Sequence, residues 1–301
     1  MEADFTLVPI GGLGNRLYAI CSAIVYCRDT NRSLKILWFK DPNLNCPVSE
    51  LFSVAPGYPK VELKEAGWSD FLLRDNPRRK NFRIPKFFQR FLFDRRIYDS
   101  EVYRVASIHT QPDYGPLDRF KHIFMVSYWY FHTTPDMWRT IAIDPRIEAR
   151  VQEVTRGFTA PRTVGVHIRR TDNTFSIRES PTELFIQRME EEIERYRGEV
   201  AFYLASDSEE VKKELTDRFG ARILTSSQPA SRNNKQGIID AFVELNVLSR
   251  TDKIYASSRS SFSELAHYFS GNDFEIVKIA TDGPSAGAPS ETSNLSGTPN
   301  I

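Results

Sequence analysis

The chain alternates short uncharged runs with longer stretches in which apolar residues recur every three or four positions. Phe5 to Ile10 is the first such run. Gly11-Gly12-Leu13-Gly14-Asn15-Arg16 then opens a helix to about Thr30, with Leu17, Ile20, Ala23, Ile24 and Cys27 at helical spacing on one face. Leu34 to Phe39 reads as a second strand, so the chain begins with a βαβ unit. Residues 41–120 lose this rhythm. Pro42, Pro47, Pro56, Pro59, Pro77, Pro85, Pro112 and Pro116 interrupt it, which predicts loops and short helices. Lys121 to Tyr130 reads as another strand, followed by a helix near Arg146–Arg156 and a domain boundary near Phe158–Arg162.

Beyond that boundary the alternation is regular. Strands are expected at 163–168, 200–205, 221–225, 253–257 and 274–279, with helices between most of them. This order predicts a parallel, doubly wound sheet with right-handed crossovers. Ser180-Pro181-Thr182-Glu183 has the form of a capping box with Pro at the first helical position. Phe185, Met189, Ile193 and Tyr196 form the expected buried stripe of the helix it starts. From Asp282 onward almost nothing is apolar, which predicts a disordered tail. The domains are therefore expected at 1–160 and 161–281, with the tail at 282–301.

Candidate chemistry gathers where expected strands end. The run Thr163-Val164-Gly165-Val166-His167-Ile168 is uncharged until it breaks into His167, Arg169, Arg170 and Asp172. Strand alternation sends Val164, Val166 and Ile168 to one face, and Gly165, His167 and Arg169 to the other, with Gly165 expected to keep that side open. In open α/β sheets ligands bind outside the carboxyl ends of the strands, and a guanidinium there suits a bidentate grip on phosphate or carboxylate. The structural alternative is that the arginines cap helix ends or pair with nearby Glu. Gly11–Arg16 could aim helix N–H groups at an anion, or could serve only tight packing. It is neither a GxGxxG nor a P-loop pattern. Ser206-Asp207 and Ser257–Ser263 follow later strands; Asp207 and Ser260 read equally as helix N-caps.

Charge and composition narrow the classes. Lys+Arg of 40 against Asp+Glu of 39 leaves no global field that would draw nucleic acid. The distribution is uneven, though: nine basic residues face two Asp between Arg74 and Arg96, interleaved with Phe82, Phe87, Phe88, Phe91 and Phe93. That stretch is either a solvated helix packed by its aromatics or a surface for an anionic membrane or acceptor. Cys21, Cys27 and Cys46 have no metal-ligand spacing and are expected to be buried thiols in a reducing compartment. No apolar run approaches the roughly 20 residues of a membrane span, and the start lacks a signal-peptide pattern. The expected location is cytoplasmic, with 74–96 as a possible peripheral contact at the inner face of a membrane.

In combination, Gly11-Gly12-Leu13-Gly14-Asn15, His167-Ile168-Arg169-Arg170-Thr171-Asp172, Phe202-Tyr203-Leu204-Ala205-Ser206-Asp207, and Leu248-Ser249 with Ser260-Ser261-Phe262-Ser263 resemble motifs of a fucosyltransferase superfamily. It contains the alpha-1,2, alpha-1,6 and protein O-fucosyltransferases. The HxRRxD motif is closest to the alpha-1,6 branch. The resemblance implies a GT-B-like α/β fold, two Rossmann-type domains facing a central cleft, with acceptor bound by the first and GDP-fucose by the second. It implies inverting transfer of fucose, or another GDP-hexose, to a glycan or glycolipid acceptor without a divalent metal. Arg169 would contact the β-phosphate, His167 would orient the nucleotide, and Asp172 would hold the arginine pair. Gly12, Asn15, Arg16, Arg170, Asp207, Ser260, Ser261 and Phe262 would line the donor, and Glu244 or Asp240 would read the guanine edge. The alpha-1,6 enzymes carry Lys after the motif's Asp, where this chain has Asn173. Their catalytic carboxylate falls here on Ile177, so the base is Glu179 or Asp172. The rival classes are a non-catalytic sugar-nucleotide or carbohydrate binder and, lacking its P-loop, a kinase or sulfotransferase.

Overall fold

Phe5, Leu7 and Val8 are buried side chains of β1 (Asp4–Pro9), the middle strand of a five-stranded parallel sheet. The structure, a computed structural model, describes residues 3–41, 44–106, 113–171, 174–226 and 234–279. After β1 come α1 (Leu13–Asp29), β2 (Ser33–Trp38), β3 (Phe52–Val54), β4 (Val61–Glu65), α2 (Trp68–Leu73), α3 (Ile84–Leu92), β5 (Arg95–Ile97), α4 (Asp99–Ala106), β6 (His122–Ser127) and β7 (Ile141–Ile143). The parallel sheet runs β4-β2-β1-β6-β5, and β3 pairs with β7 in a small antiparallel ribbon. Three of these strands, β3, β4 and β5, lie where the sequence predicts only loops and short helices. α1 is buried along every position from Arg16 to Cys27 rather than on one stripe, the pattern of a helix covered on all sides. All three cysteines are buried free thiols, and burial raises Cys21 to about 12 and Cys46 to about 11.

A second compact unit takes over at Pro145. It contains α5 (Pro145–Thr155), β8 (Arg162–Ile168), α6 (Thr174–Glu179), α7 (Thr182–Arg195), β9 (Val200–Ser206), α8 (Glu209–Phe219), β10 (Ile223–Thr225), α9 (Lys235–Leu248, from Gln236), β11 (Lys253–Ser257), α10 (Ser261–Ser270) and β12 (Asp273–Val277). The boundary expected near Phe158–Arg162 falls after α5. The helix instead belongs with the second unit, where Arg150 pairs with Asp240 at 2.7 Å and Glu148 with Arg250 at 3.1 Å. All four strand pairings in the sheet β10-β9-β8-β11-β12 are parallel.

The alternation along β8 holds. Val164, Val166 and Ile168 enter a core with Phe202 and Leu204 of β9, Phe185 and Met189 of α7, and Val211, Leu215 and Phe219 of α8. Ile193 and Tyr196 pack against that core half-buried. Gly165 does not leave an open side, however. A Cβ there would stand 2.8 Å from Thr251 Oγ1 and 2.9 Å from Leu248 Cδ2, so the glycine admits the end of α9 against the sheet. The expected capping box is also absent: Pro181 is the N-cap of α7. Ser180 Oγ accepts from the Ser258 N–H at 2.9 Å instead, tying α7 to the end of β11. Gly220 ends α8 as expected, with φ +58°. No helix among the described residues is long and apolar enough to cross a membrane. The tail at 282–301 lies outside them.

Candidate functional site

β8 is the first strand of its sheet in sequence and the middle one in space: β9 and β10 lie to one side, β11 and β12 to the other. The chain reverses its direction of sheet growth between β8 and β11, and this switch point is where open α/β sheets receive ligands. His167 stands at the carboxyl end of β8, in register with Ala205 and Ala256. Those two small neighbours leave lateral room for an imidazole. Its Nδ1 lies 3.2 Å from Ser263 Oγ and 3.4 Å from Ser260 Oγ, and Phe262 packs beside the ring at 5.0 Å between centroids. The start of α10 is thus seated against His167. Ser260 is its N-cap but makes no side-chain capping bond, its hydroxyl being turned to the histidine. Ser261 is half-buried in the first turn.

The loop after β8 is held by its backbone and by one of its arginines. Arg169 N–H donates to Ser257 Oγ at 3.1 Å. Asp207, at the end of β9, accepts from Arg170 N–H at 2.6 Å and from Thr171 Oγ1 at 2.7 Å. Burial would raise the Asp207 carboxyl, but these hydrogen bonds outweigh it and hold the group below its usual range. Asp207 therefore fixes the course of the loop, and the N-cap of α8 is Ser208, which accepts from Val211 N–H. The Arg170 guanidinium donates to the carbonyls of Arg169 and Ser180, both at 2.8 Å, and to Thr182 Oγ1 at 2.9 Å. It bonds carbonyls and a hydroxyl rather than the acid partner that the sequence suggests. Arg169 is half-buried. Asp172 lies outside the described residues.

Glu179, one of the two expected bases, is engaged by hydrogen bonds. Arg259 donates to both of its oxygens, at 2.8 and 3.2 Å, and Ser258 Oγ donates at 2.7 Å. Burial alone would raise this carboxyl; Ser258 and Arg259 overcome it and keep the pKa below normal. Arg259 was not foreseen as a site residue. It sits in the left-handed backbone region at φ +57° with its guanidinium over the Phe175 ring, and a lone arginine inside a serine run was its only sequence signal.

Of the two acids on α9, Asp240 is taken by Arg150 and by Gln236 at 2.8 Å. Glu244 differs: burial pushes its carboxyl up to about 7, against the opposing pull of Lys212, with Asp240, Glu209 and Asp207 adding to the rise. Its environment favours the protonated form between the unfolded pKa near 4.5 and about 7. The folded state then binds more protons than the unfolded one, so stability falls as pH rises through that window. Glu244→Gln is expected to stabilise the protein at pH 8 by about 2 kcal/mol, a discounted conversion of the shift. The gain disappears as pH falls toward 4.5. Urea denaturation at both ends of the window checks this, and an equal gain at the two ends would sink it.

The glycine loop belongs to the other unit. Gly11 adopts φ +85° with Asn15 Nδ2 only 3.0 Å from where its Cβ would be, so the turn demands glycine. Gly12 is exposed and Asn15 half-buried. Arg16 is fully buried: it donates to Gly11 O at 3.0 Å, Phe39 O at 2.7 Å and Asp41 Oδ2 at 2.7 Å, over the Trp38 ring at 4.6 Å. Burial lowers its pKa to about 10, with Asp41 pulling the other way. This arginine clamps the ends of β1 and β2 and is sealed from any ligand, contrary to the donor role expected of it. Among the described residues no three His, Cys, Asp or Glu side chains group closely enough to hold a metal ion.

No family model and no curated protein sequence matches the chain. Solved structures do. NodZ alpha-1,6-fucosyltransferase soaked with GDP-fucose superposes with a TM-score of 0.61 at 17% identity, covering 89% of this chain and 93% of that one. Fucosyltransferase NodZ from Bradyrhizobium gives 0.59 at 16% identity, with 89% and 93% covered. POFUT1 in complex with GDP gives 0.57 at 11% identity, over 91% of this chain and 98% of that one. At such identities the likeness shows the fold, and the chain therefore has the parallel α/β, GT-B fold of these fucosyltransferases.

Proposed function

We propose that the chain is an inverting, metal-independent glycosyltransferase that moves fucose from GDP-fucose to a carbohydrate hydroxyl. The observation that carries this reading is the end of β8 at the switch point, where His167 and Arg169 emerge beside the start of α10. GDP-fucose in the NodZ structure and GDP in the POFUT1 structure support the choice of donor. In the reaction the acceptor oxygen attacks the anomeric carbon, the bond to the β-phosphate breaks, and GDP leaves with the electron pair. Arg169 and the first turn of α10 neutralise the charge growing on that phosphate. His167 orients the nucleotide between Ser260, Ser263 and Phe262. Glu244 reads the guanine edge in preference to Asp240, which Arg150 already occupies. Of the two candidate bases, Glu179 fits a positioning role, which leaves Asp172 to take the acceptor's proton.

A thermal-shift panel of GDP, UDP, dTDP and CMP sugars in EDTA tests the proposal. GDP and GDP-fucose are expected to raise the melting temperature by several degrees, since a ligand at 100 times its Kd adds about 2.7 kcal/mol. Stabilisation by UDP sugars alone, or only with added Mg²⁺ or Mn²⁺, would overturn it. The engagement of Glu179 also suits a protein that binds the donor without transferring it. Slow donor hydrolysis in the same EDTA buffer separates an enzyme from such a binder.

A further inference from the structure

α3 is turned inside out. Its buried positions are Pro85 and the fully buried Gln89, whereas Ile84, Phe87, Phe91 and Leu92 are exposed, Phe91 at 72%. Phe82, in the turn before it, is 85% exposed, and neighbouring α2 exposes Trp68, Phe71 and Leu72. The orientation is held by hydrogen bonds. Gln89 Nε2 donates to Asp75 O at 2.8 Å and its Oε1 accepts from Tyr98 OH at 3.1 Å. Asp75 in turn accepts from Arg78 at 3.1 Å and Asn81 at 3.0 Å. Rotating the helix to hide its rings would strand the Gln89 amide's partners, so the apolar face stays outward. Phe82 and Arg83 both occupy the left-handed region, at φ +51° and +55°. Two such non-glycine residues in succession at an exposed tip are a form of backbone strain that collects at functional surfaces.

The charge around this face has one sign. Arg79, Lys80, Arg83, Lys86 and Arg90 are exposed among the rings. The two acids of the stretch are consumed elsewhere: Asp75 in the network above, and Asp94 in accepting the backbone N–H groups of Lys121 and His122. A second copy of the chain packed symmetrically on this face would set these cations against their equivalents. An anionic bilayer instead receives the rings at its interface and the cations at its phosphates. We propose that the α2–α3 face docks on an anionic lipid surface, with Phe82, Phe87 and Phe91 entering the interface and Lys80, Arg83, Lys86 and Arg90 meeting lipid phosphates. This does not depend on the donor or the reaction.

The experiment is co-sedimentation of the full chain with vesicles of phosphatidylcholine alone or mixed with phosphatidylglycerol, at low and high salt. Binding is expected only to the mixed vesicles and is expected to weaken with salt, as screening shortens the reach of surface charge. Each cation near such a surface strengthens binding about fivefold, so Lys80→Ala with Arg83→Ala is expected to weaken it about 25-fold. Phe87→Ser with Phe91→Ser removes two inserted rings and is expected to weaken it on the order of 100-fold. Both pairs are exposed, so their melting temperatures should match the parent. Three results would overturn the proposal: no binding to mixed vesicles, equal binding to both vesicle types, or binding that neither variant alters. A concentration-dependent dimer that the serine variant dissociates would also overturn it, because the face would then belong to a second copy.

Discussion

Arg169→Lys is expected to lower kcat about 100- to 1000-fold with little change in the donor's KM. Extended one residue past β8, the strand alternation would put Arg169 on the side of His167, and Ser257 Oγ holds its backbone N–H beside β11. A lysine keeps the charge but cannot reproduce a planar, two-pronged grip. Negative charge on the leaving phosphate grows only as the glycosidic bond breaks, so the loss appears in kcat. Its size follows from removing one preorganised donor, about 2.7–4 kcal/mol. Arg170→Lys is expected to behave differently. Its guanidinium joins the carbonyls of Arg169 and Ser180 to Thr182, and a single ammonium cannot span all three, so the melting temperature falls while kcat changes much less. Steady-state kinetics with circular dichroism on both variants decides the matter. A crippled but fully stable Arg170→Lys beside a near-normal Arg169→Lys would place the phosphate on the other face of β8.

Arg16→Ala is expected to cost about 3 kcal/mol of stability. The deletion leaves the Asp41 carboxylate and the carbonyls of Gly11 and Phe39 without their shared donor. Breaking a buried pair from one side costs about 3–5 kcal/mol, and the lower end applies because Asp41 keeps some access to water. Arg16→Lys should recover only part of the loss, since one ammonium replaces a fork that reaches three oxygens. Urea denaturation of both variants gives the values. An Arg16→Ala protein of parental stability that had lost donor affinity would falsify the clamp and restore the ligand role.

Why Arg16 misled the sequence reading is instructive. An arginine after a glycine-rich turn looks the same in sequence whether it faces a diphosphate or the carbonyls of its own fold. Only the position of Asp41 and Trp38 separates the two cases. Glu179 is ambiguous in the same way, because its partner Arg259 is distant in the chain and hidden in a serine run. The second unit was legible because its central strands are charged only at their first residue, if at all, and its helices carry periodic stripes such as Phe185 and Met189. β4 and β5 were not. They lie at the two edges of their sheet, where Val-Glu-Leu-Lys-Glu and Arg-Arg-Ile need little hydrophobicity to pair. The inverted face of α3 was visible only as an ambiguity: the sequence shows rings among cations, and the burial of Gln89 decides which side turns outward.

Four of the bonds that shape the end of β8 and its surroundings join residues far apart in the chain. Ser257 holds Arg169, Asp207 holds Arg170, Ser263 meets His167, and Arg259 grips Glu179. No local segment can rehearse this arrangement, because contacts between distant residues form only after the intervening loops close. A ribosome must therefore deliver the chain through Ser263 before the histidine and arginines acquire their setting. Until β11 and α10 have been made and docked beside it, β8 lacks the partners that set its chemistry.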